Sequence, residues 1–158
     1  MDLEIRKADS IMDATALLDL DQKTFPKADA FSDPSIWLGL QCFLLWYGKQ
    51  PIASFALALN RDHRWKIDKR IYTPKSIFIV TTGILPAYQG MKLGRVLKEF
   101  QIAYTRLNGF HKIEATARVS NERIITLNKR FGFKEKEIIS EFYENPAEDM
   151  VVLELKLK

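Results

Sequence analysis

Leu3 to Lys7 alternates apolar and polar positions, the period of a short strand. Ser10 offers an N-cap with Asp13 three residues on, a capping-box spacing. Ile11, Ala14, Leu18 and Phe25 then recur at helical spacing, which predicts a first helix that Pro26 ends. Ser32-Asp33-Pro34-Ser35 opens a second, short helix in the same way, with Pro34 suited to its first turn. Two strand-length apolar runs, Cys42 to Tyr47 and Ile52 to Leu59, are joined by Gly48-Lys49-Gln50-Pro51, a hairpin signal. A polar stretch from Asn60 to Lys75 precedes a β-rich run, Ser76 to Leu85.

The next segment, Leu93 to Leu107, is strongly amphipathic and predicts a helix burying Leu93, Leu97, Phe100, Tyr104 and Leu107, ended by Asn108-Gly109. From Lys112 to Val119, Ile113, Ala115, Ala117 and Val119 point one way while Glu114, Thr116 and Arg118 point the other. Asn121 can cap a last helix carrying Ile124, Leu127 and Phe131, closed by Gly132. Two final strands, near Phe133 to Tyr143 and Met150 to Leu157, are split by the loop Glu144 to Asp149. The order βααβββαβαββ reads as one α+β domain over residues 1–158, built on a mixed sheet.

Composition sharpens this picture only in places. A 158-residue chain that is 47% hydrophobic can bury a real core, and its 28% charged residues are ordinary for a soluble domain. The densest apolar run, Cys42 to Tyr47, is too short to cross a membrane, and Met1 to Lys7 has no signal-type segment, so a cytoplasmic location is expected. A net charge of +4 permits an anionic ligand but falls short of a nucleic-acid binder's footprint. The basic stretch Arg61 to Arg70, with its Trp65 and with Tyr72 and Lys75 beyond, reads first as a solvated hairpin and second as a surface for nucleic acid or an acidic partner. Trp37 and Trp46 lie in apolar patterns and read as core. Cys42 is alone, and His63 and His111 lack partners at metal spacing, so neither a disulfide nor a metal site is expected.

Chemistry concentrates in Pro86 to Arg95, between the β-rich run and the amphipathic helix. Strand, glycine-bearing loop and helix in that order aim backbone N–H groups into a concave nest at a helix N-terminus, a phosphate site. Gln89-Gly90-Met91-Lys92-Leu93-Gly94 aligns with the Gln/Arg-x-x-Gly-x-Gly/Ala loop of one enzyme family, and Asn121 to Phe133 aligns with its second motif through Asn121, Leu127, Gly132 and Phe133, with Arg130 in place of a lysine. With these motifs in order, nearly the whole chain resembles the GNAT superfamily of acetyl-CoA-dependent N-acetyltransferases. Two positions depart from it. Lys92 stands where a glycine is usual, and a left-handed backbone there would be strained; Asn128 replaces the tyrosine that often protonates the departing CoA thiolate.

The resemblance implies a largely antiparallel central sheet with helices on both faces. It implies that the amides of Gln89, Gly90, Met91, Lys92, Leu93 and Gly94, with Arg95 beside them, hold the CoA pyrophosphate. Thr82, Gly83 and Ile84 would pair with the pantetheine arm, the Ile84 amide would donate to the thioester carbonyl, and Asn121 would approach the cofactor. Seven residues on, Asn128 should share the Asn121 face and point at the sulfur, where an amide can donate a hydrogen bond but not act as an acid. Glu114 is a candidate base, against the alternative of an edge-facing surface carboxylate; His111, the loop residues Glu141, Tyr143 and Glu144, and a water chain are the other options. Glu141, Glu144, Glu148 and Asp149 would favour a cationic acceptor if the last loop borders it.

The implied activity is acetyl transfer from acetyl-CoA, as co-substrate, to a small-molecule or peptide amine by direct attack in a ternary complex. A catalytically weak acyl-CoA-binding sensor is the alternative, and a different phosphate ligand in the same nest is a third. Membrane and nucleic-acid partners are not expected, and monomer and homodimer both stay open.

Overall fold

The computed structural model describes residues 2–27, 29–31, 34–37, 39–58 and 76–157. Its elements run β1 (Leu3–Lys7), α1 (Ile11–Thr24), a 3₁₀ turn (Pro34–Trp37), β2 (Gln41–Tyr47), β3 (Gln50–Ala58), β4 (Ser76–Ile84), a 3₁₀ turn (Pro86–Tyr88), α2 (Leu93–Leu107), β5 (Lys112–Arg118), α3 (Glu122–Arg130), β6 (Lys134–Tyr143) and β7 (Glu148–Lys156). The basic stretch 61–70 and Lys75, with His63, Trp65 and Tyr72, lies outside the described residues, as do Ser32, Asp33 and Leu59. The short second helix reduces to the first 3₁₀ turn. No helix among the described residues is long and apolar enough to cross a membrane.

The strands form one seven-stranded sheet in the order β1-β2-β3-β4-β5-β7-β6, antiparallel except for the central β4–β5 pair. Both faces are covered. Cys42, Leu44, Ala56, Phe78 and Val152 pack against Leu17 and Leu20 of α1. The alternate set, Phe43, Leu45, Phe55, Leu57, Ile77, Ile113 and Leu153, packs against Leu93, Leu97 and Ile102 of α2, with α3 joining through Ile124 and Ile125. Two covered faces explain why β2 and β3 read as nearly continuous apolar runs rather than alternating ones. Each fully buried Leu or Phe in these layers contributes about 1.5–3 kcal/mol. Two residues assigned to helix faces do not join the core: Ile11, the first residue of α1, and Leu107, the last of α2, are 85% and 86% exposed.

The central pair positions the site. Ala56 pairs with Thr81 and Leu57 with Ile79, so Val80 is an extra residue that bulges β4. Parallel pairing with β5 begins at Ser76↔Lys112 and stops at Ile79↔Ala115. Beyond that point β4 stays with β3 as far as Ile84, while β5 stays with β7 as far as Arg118. The two strands therefore part, and residues 80–84 present a backbone edge with no β5 partner.

Gln89 ties the loop that follows to this edge, its Nε2 donating to the Ile84 carbonyl at 3.0 Å. Lys92 is the N-cap of α2 and is left-handed, at φ 62° and ψ 19°, with no side-chain cap bond. The strain foreseen for a lysine there is thus present. Gly94 faces α3 so closely that a Cβ would stand 3.1 Å from Leu127 Cδ2; its missing side chain sets how near the two helices lie.

A left-handed lysine costs about 1–2 kcal/mol, partly offset in a glycine variant by the freedom glycine gains when unfolded. Lys92→Gly is therefore expected to stabilise the fold by roughly 1 kcal/mol or less, seen as a higher urea midpoint at unchanged slope. A lower midpoint would contradict strain at this residue.

Candidate active site

A cleft of about 1100 Å³ opens beside the free edge of β4, walled by the glycine loop, the start of α2, the outer face of α3 and the end of α1. Thr82, Gly83, Ile84, Gln89, Gly90, Lys92, Leu93, Gly94, Arg95 and Asn121 all lie on its wall. Met91 does not: its side chain is turned outward and 43% exposed, leaving only its backbone to the loop. Gly83 is needed for closure at the α1 end, since a Cβ there would meet Thr24 Cγ2 at 3.1 Å and Phe25 Cε2 at 3.2 Å. Asn121 Oδ1 accepts from Ile124 N at 3.3 Å and so caps α3, which leaves its NH₂ as the group available to a ligand.

The wall is strongly cationic. Lys92, Arg95, Lys98, Arg123 and Arg130 line it against the single carboxylate of Glu122. Arg95 is partly occupied by Glu99, one helical turn away at 3.1 Å. With the α2 macrodipole added, the cleft suits a polyanion.

Lys98 and Gln101 were not foreseen. Both are buried, at 3% and 0% exposure, on the α2 face that turns into the cleft. Gln101 Nε2 donates to Thr82 Oγ1 at 3.0 Å, pinning the helix to β4. The Lys98 Nζ lies 5.0 Å from the centre of the Phe133 ring and makes no hydrogen bond or ion pair among the described residues. Burial pushes this lysine down to about 7. The buried positions of α2 (Leu93, Leu97, Lys98, Gln101, Ile102 and Thr105) form a wider arc than its apolar residues mark out. Lys98, Gln101 and Thr105 do repeat at helical spacing, the signal that would have found them.

Two candidates for chemistry need correction. Asn128 is 1% exposed and absent from the cleft wall; its Nδ2 donates to the Ile124 carbonyl at 3.0 Å, within its own helix. Sharing a helical face with Asn121 did not suffice, because a side chain this short bonds to its own backbone instead of crossing to the cleft. Glu114 is fully buried and bonded to Lys112 at 3.0 Å and Lys136 at 3.2 Å, with Glu154 completing the cluster. It pairs with Phe78, four residues short of Thr82 and so about 13 Å back along the strand, on the opposite side of the sheet from α2. Glu114 is neither a surface carboxylate nor a base for this cleft.

At the end of β5 Arg118 organises the chain. It grips Asp29 through two bonds, of 2.8 and 3.0 Å, and donates to the carbonyls of Pro146 and Glu144. It also reaches Glu148 Oε1 at 3.5 Å and stacks 4.3 Å over the Tyr143 ring. Glu148 Oε2 accepts from Ser120 N, and those Ser120 donors with Arg118 hold its carboxyl below the usual range. Asp149 Oδ1 accepts from Glu141 N. The acidic loop is thus largely consumed internally, and Glu141 and Glu144 are what remains for a cationic acceptor. Burial pushes the Tyr143 hydroxyl up to about 12, so it stays protonated and is no base. His111 is exposed and serves through its carbonyl, which accepts from Leu157 N. Asp21 and Phe31 tie the exit of α1 to the same region at 2.7 Å, with burial raising Asp21 to about 6.

Lys98 makes stability pH-dependent with a definite sign. An unfolded lysine keeps its proton to about 10.4, whereas the folded one releases it near 7, so stability rises with pH across that window. Lys98→Met is expected to be more stable than the parent at pH 7, with the advantage shrinking toward pH 10 in paired urea titrations. A constant difference would contradict the assigned burial penalty.

The family profile described as "Acetyltransferase (GNAT) family" matches residues 14–133. Curated protein sequences yield no significant match. Solved structures agree in fold over essentially the entire chain. The ribosomal-protein-S18-alanine N-acetyltransferase of Escherichia coli superposes with a TM-score of 0.81 at 20% identity, covering 99% of this chain and 95% of that one. A Bacillus subtilis acetyltransferase solved in complex with CoA gives 0.77 at 22% identity, covering 99% and 100%. The yncA acetyltransferase from Salmonella typhimurium, solved with its cofactor acetyl-CoA, gives 0.76 at 20%, covering 99% and 94%. With a profile matching three-quarters of the chain laid over a parted β4–β5 pair and a glycine loop at a helix start, this protein belongs to the GNAT family of acetyltransferases.

Proposed function

We propose that the protein transfers an acetyl group from acetyl-CoA to a primary amine of a small molecule or peptide, by direct attack within a ternary complex. The observation that carries this reading is the free edge of β4 at residues 80–84, which opens directly onto the cationic nest at the start of α2. A ligand that is peptide-like along one stretch and polyanionic at its end meets both needs, and CoA is built that way. Thr82, Gly83 and Ile84 would pair with its amide-bearing arm as an added strand does. The amides from Gln89 to Gly94 would take the pyrophosphate, Lys92 and Arg95 would add charge, Met91 would offer backbone only, and Asn121 would donate through its NH₂.

The acetyl group reaches the site as an activated thioester. What this chain supplies is a hydrogen-bond donor at the end of β4 for the carbonyl, a wall that excludes water, and an exit for the thiol. With Asn128 turned into its own helix, no acid stands at that position; a thiol with a pKa of about 8.5 leaves tolerably as thiolate, so the loss slows turnover by at most roughly 10²- to 10⁴-fold. Glu122 is the one carboxylate among the described wall residues, and water carries the acceptor's proton away in this reading. The buried amide at 128 also favours the second reading, an acyl-CoA sensor that binds without turning over.

Calorimetry is expected to show saturable acetyl-CoA binding. Lys92→Gly should weaken it about fivefold at low salt, with the gap narrowing as salt screens the phosphate contact. No heat at millimolar acetyl-CoA would sink the proposal. Thiol release across a panel of amines separates the two readings: steady turnover with any amine excludes a pure sensor, and binding without release favours one.

A further inference from the structure

We propose that the cleft acylates its own lysine, making Lys98 an internal acyl acceptor and a modification site within the cofactor channel. This rests on the acyl-CoA reading above and extends it to a residue that reading does not use.

Gln101 is in hydrogen-bond contact with Thr82 on the β4 edge, and Lys98 lies one turn earlier on the same face of α2, toward the glycine loop. Lys98 and the strand segment Thr82–Ile84, along which the acyl-bearing arm would lie, line the same cleft. A buried lysine ordinarily finds a carboxylate, yet among the described residues Lys98 has only the Phe133 ring, at 5.0 Å. The charged groups sharing the cleft are Lys92 and Arg95 from the loop and α2, and Arg123, Arg130 and Glu122 from α3. Four cations and one anion disfavour an ammonium there, and burial acts in the same direction, bringing the amine to about 7. About half the molecules at neutral pH hold it as a free amine, the form with a lone pair. An amine held next to a bound thioester reacts as though at very high concentration.

The step balances without another reactant. The neutral Lys98 nitrogen attacks the thioester carbonyl carbon, the N–C bond forms, and the C–S bond breaks with its electron pair leaving on sulfur. The proton lost by nitrogen ends on that sulfur, so the products are free CoA thiol and Nε-acyl-lysine. The product amide is uncharged, which suits a buried position better than the amine it replaces. It also narrows the channel, so acylation should weaken further cofactor binding.

The test uses the full chain incubated with acetyl-CoA and no amine, followed by intact mass and peptide mapping. One acetyl group is expected, mapped to Lys98, at a rate that saturates with acetyl-CoA and rises roughly tenfold from pH 6 to pH 8. Lys98→Arg should abolish this addition, whereas Lys156→Arg, at an exposed lysine of β7 away from the cleft wall, should keep it. Mapping on the unaltered protein decides the matter even if the Lys98 variant folds poorly. Binding of acetyl-CoA by calorimetry with Lys98 left unmodified, or with acetyl only on other lysines, overturns the proposal alone. Absence of binding overturns the acyl-CoA reading and this inference together.

Discussion

Everything functional in this fold depends on the place where β4 and β5 stop pairing. Parallel neighbours in the middle of a sheet normally satisfy each other's backbone groups along their full length. Here the Val80 bulge adds a residue on the β3 side, and pairing with β5 ends at Ile79↔Ala115. A sheet interior thereby acquires an edge, and unpaired backbone edges are strong templates for an incoming extended chain. The sheet bears this because each parted strand keeps its other neighbour, β3 for β4 and β7 for β5. The opening is a property of backbone register, which is why side chains along Thr82–Ile84 carry little chemistry of their own.

The helix that faces this opening answers two conflicting demands. To roof the cleft, α2 must lie close to both β4 and α3, and the absent side chain at Gly94 with the Gln101–Thr82 bond brings it there. That closeness buries polar positions that a free amphipathic helix would show to water. Gln101 resolves the conflict at one of its polar atoms, leaving Oε1 unpaired, and Lys98 resolves it by giving up its proton readily. Buried polar groups without partners are costly, and a half-satisfied Gln101 on the cleft wall fits a site that a ligand completes.

Arg118 performs the complementary task at the end of β5, across the opening from β4. One guanidinium joins the exit of α1 through Asp29, the β6–β7 turn through two carbonyls, and the Tyr143 ring. Two of the four charges offered for an acceptor, Glu148 and Asp149, are therefore structural. The β5 side of the opening is held by a bidentate ion pair with carbonyl contacts, whereas the β4 side leads into a loop shaped by backbone geometry and a strained lysine.

The sequence by itself determined the element order, both motifs and the glycine loop at the start of a helix, because these are written in local periodicity, caps and glycines. Asn121 as a helix cap and the Gln89–Gly94 loop needed only neighbours a few residues away. Local pattern could not tell that Glu114 would be sealed among lysines on the far side of the sheet, since alternation fixes a face without saying what covers it. Nor could it tell that Asn128 would bond to its own helix, or that a lysine in a helix would lose its solvent, since both follow from how closely α2, α3 and the sheet approach. Residue spacing decides which side chains share a face; only packing distance decides whether they reach a cleft, a counterion or water.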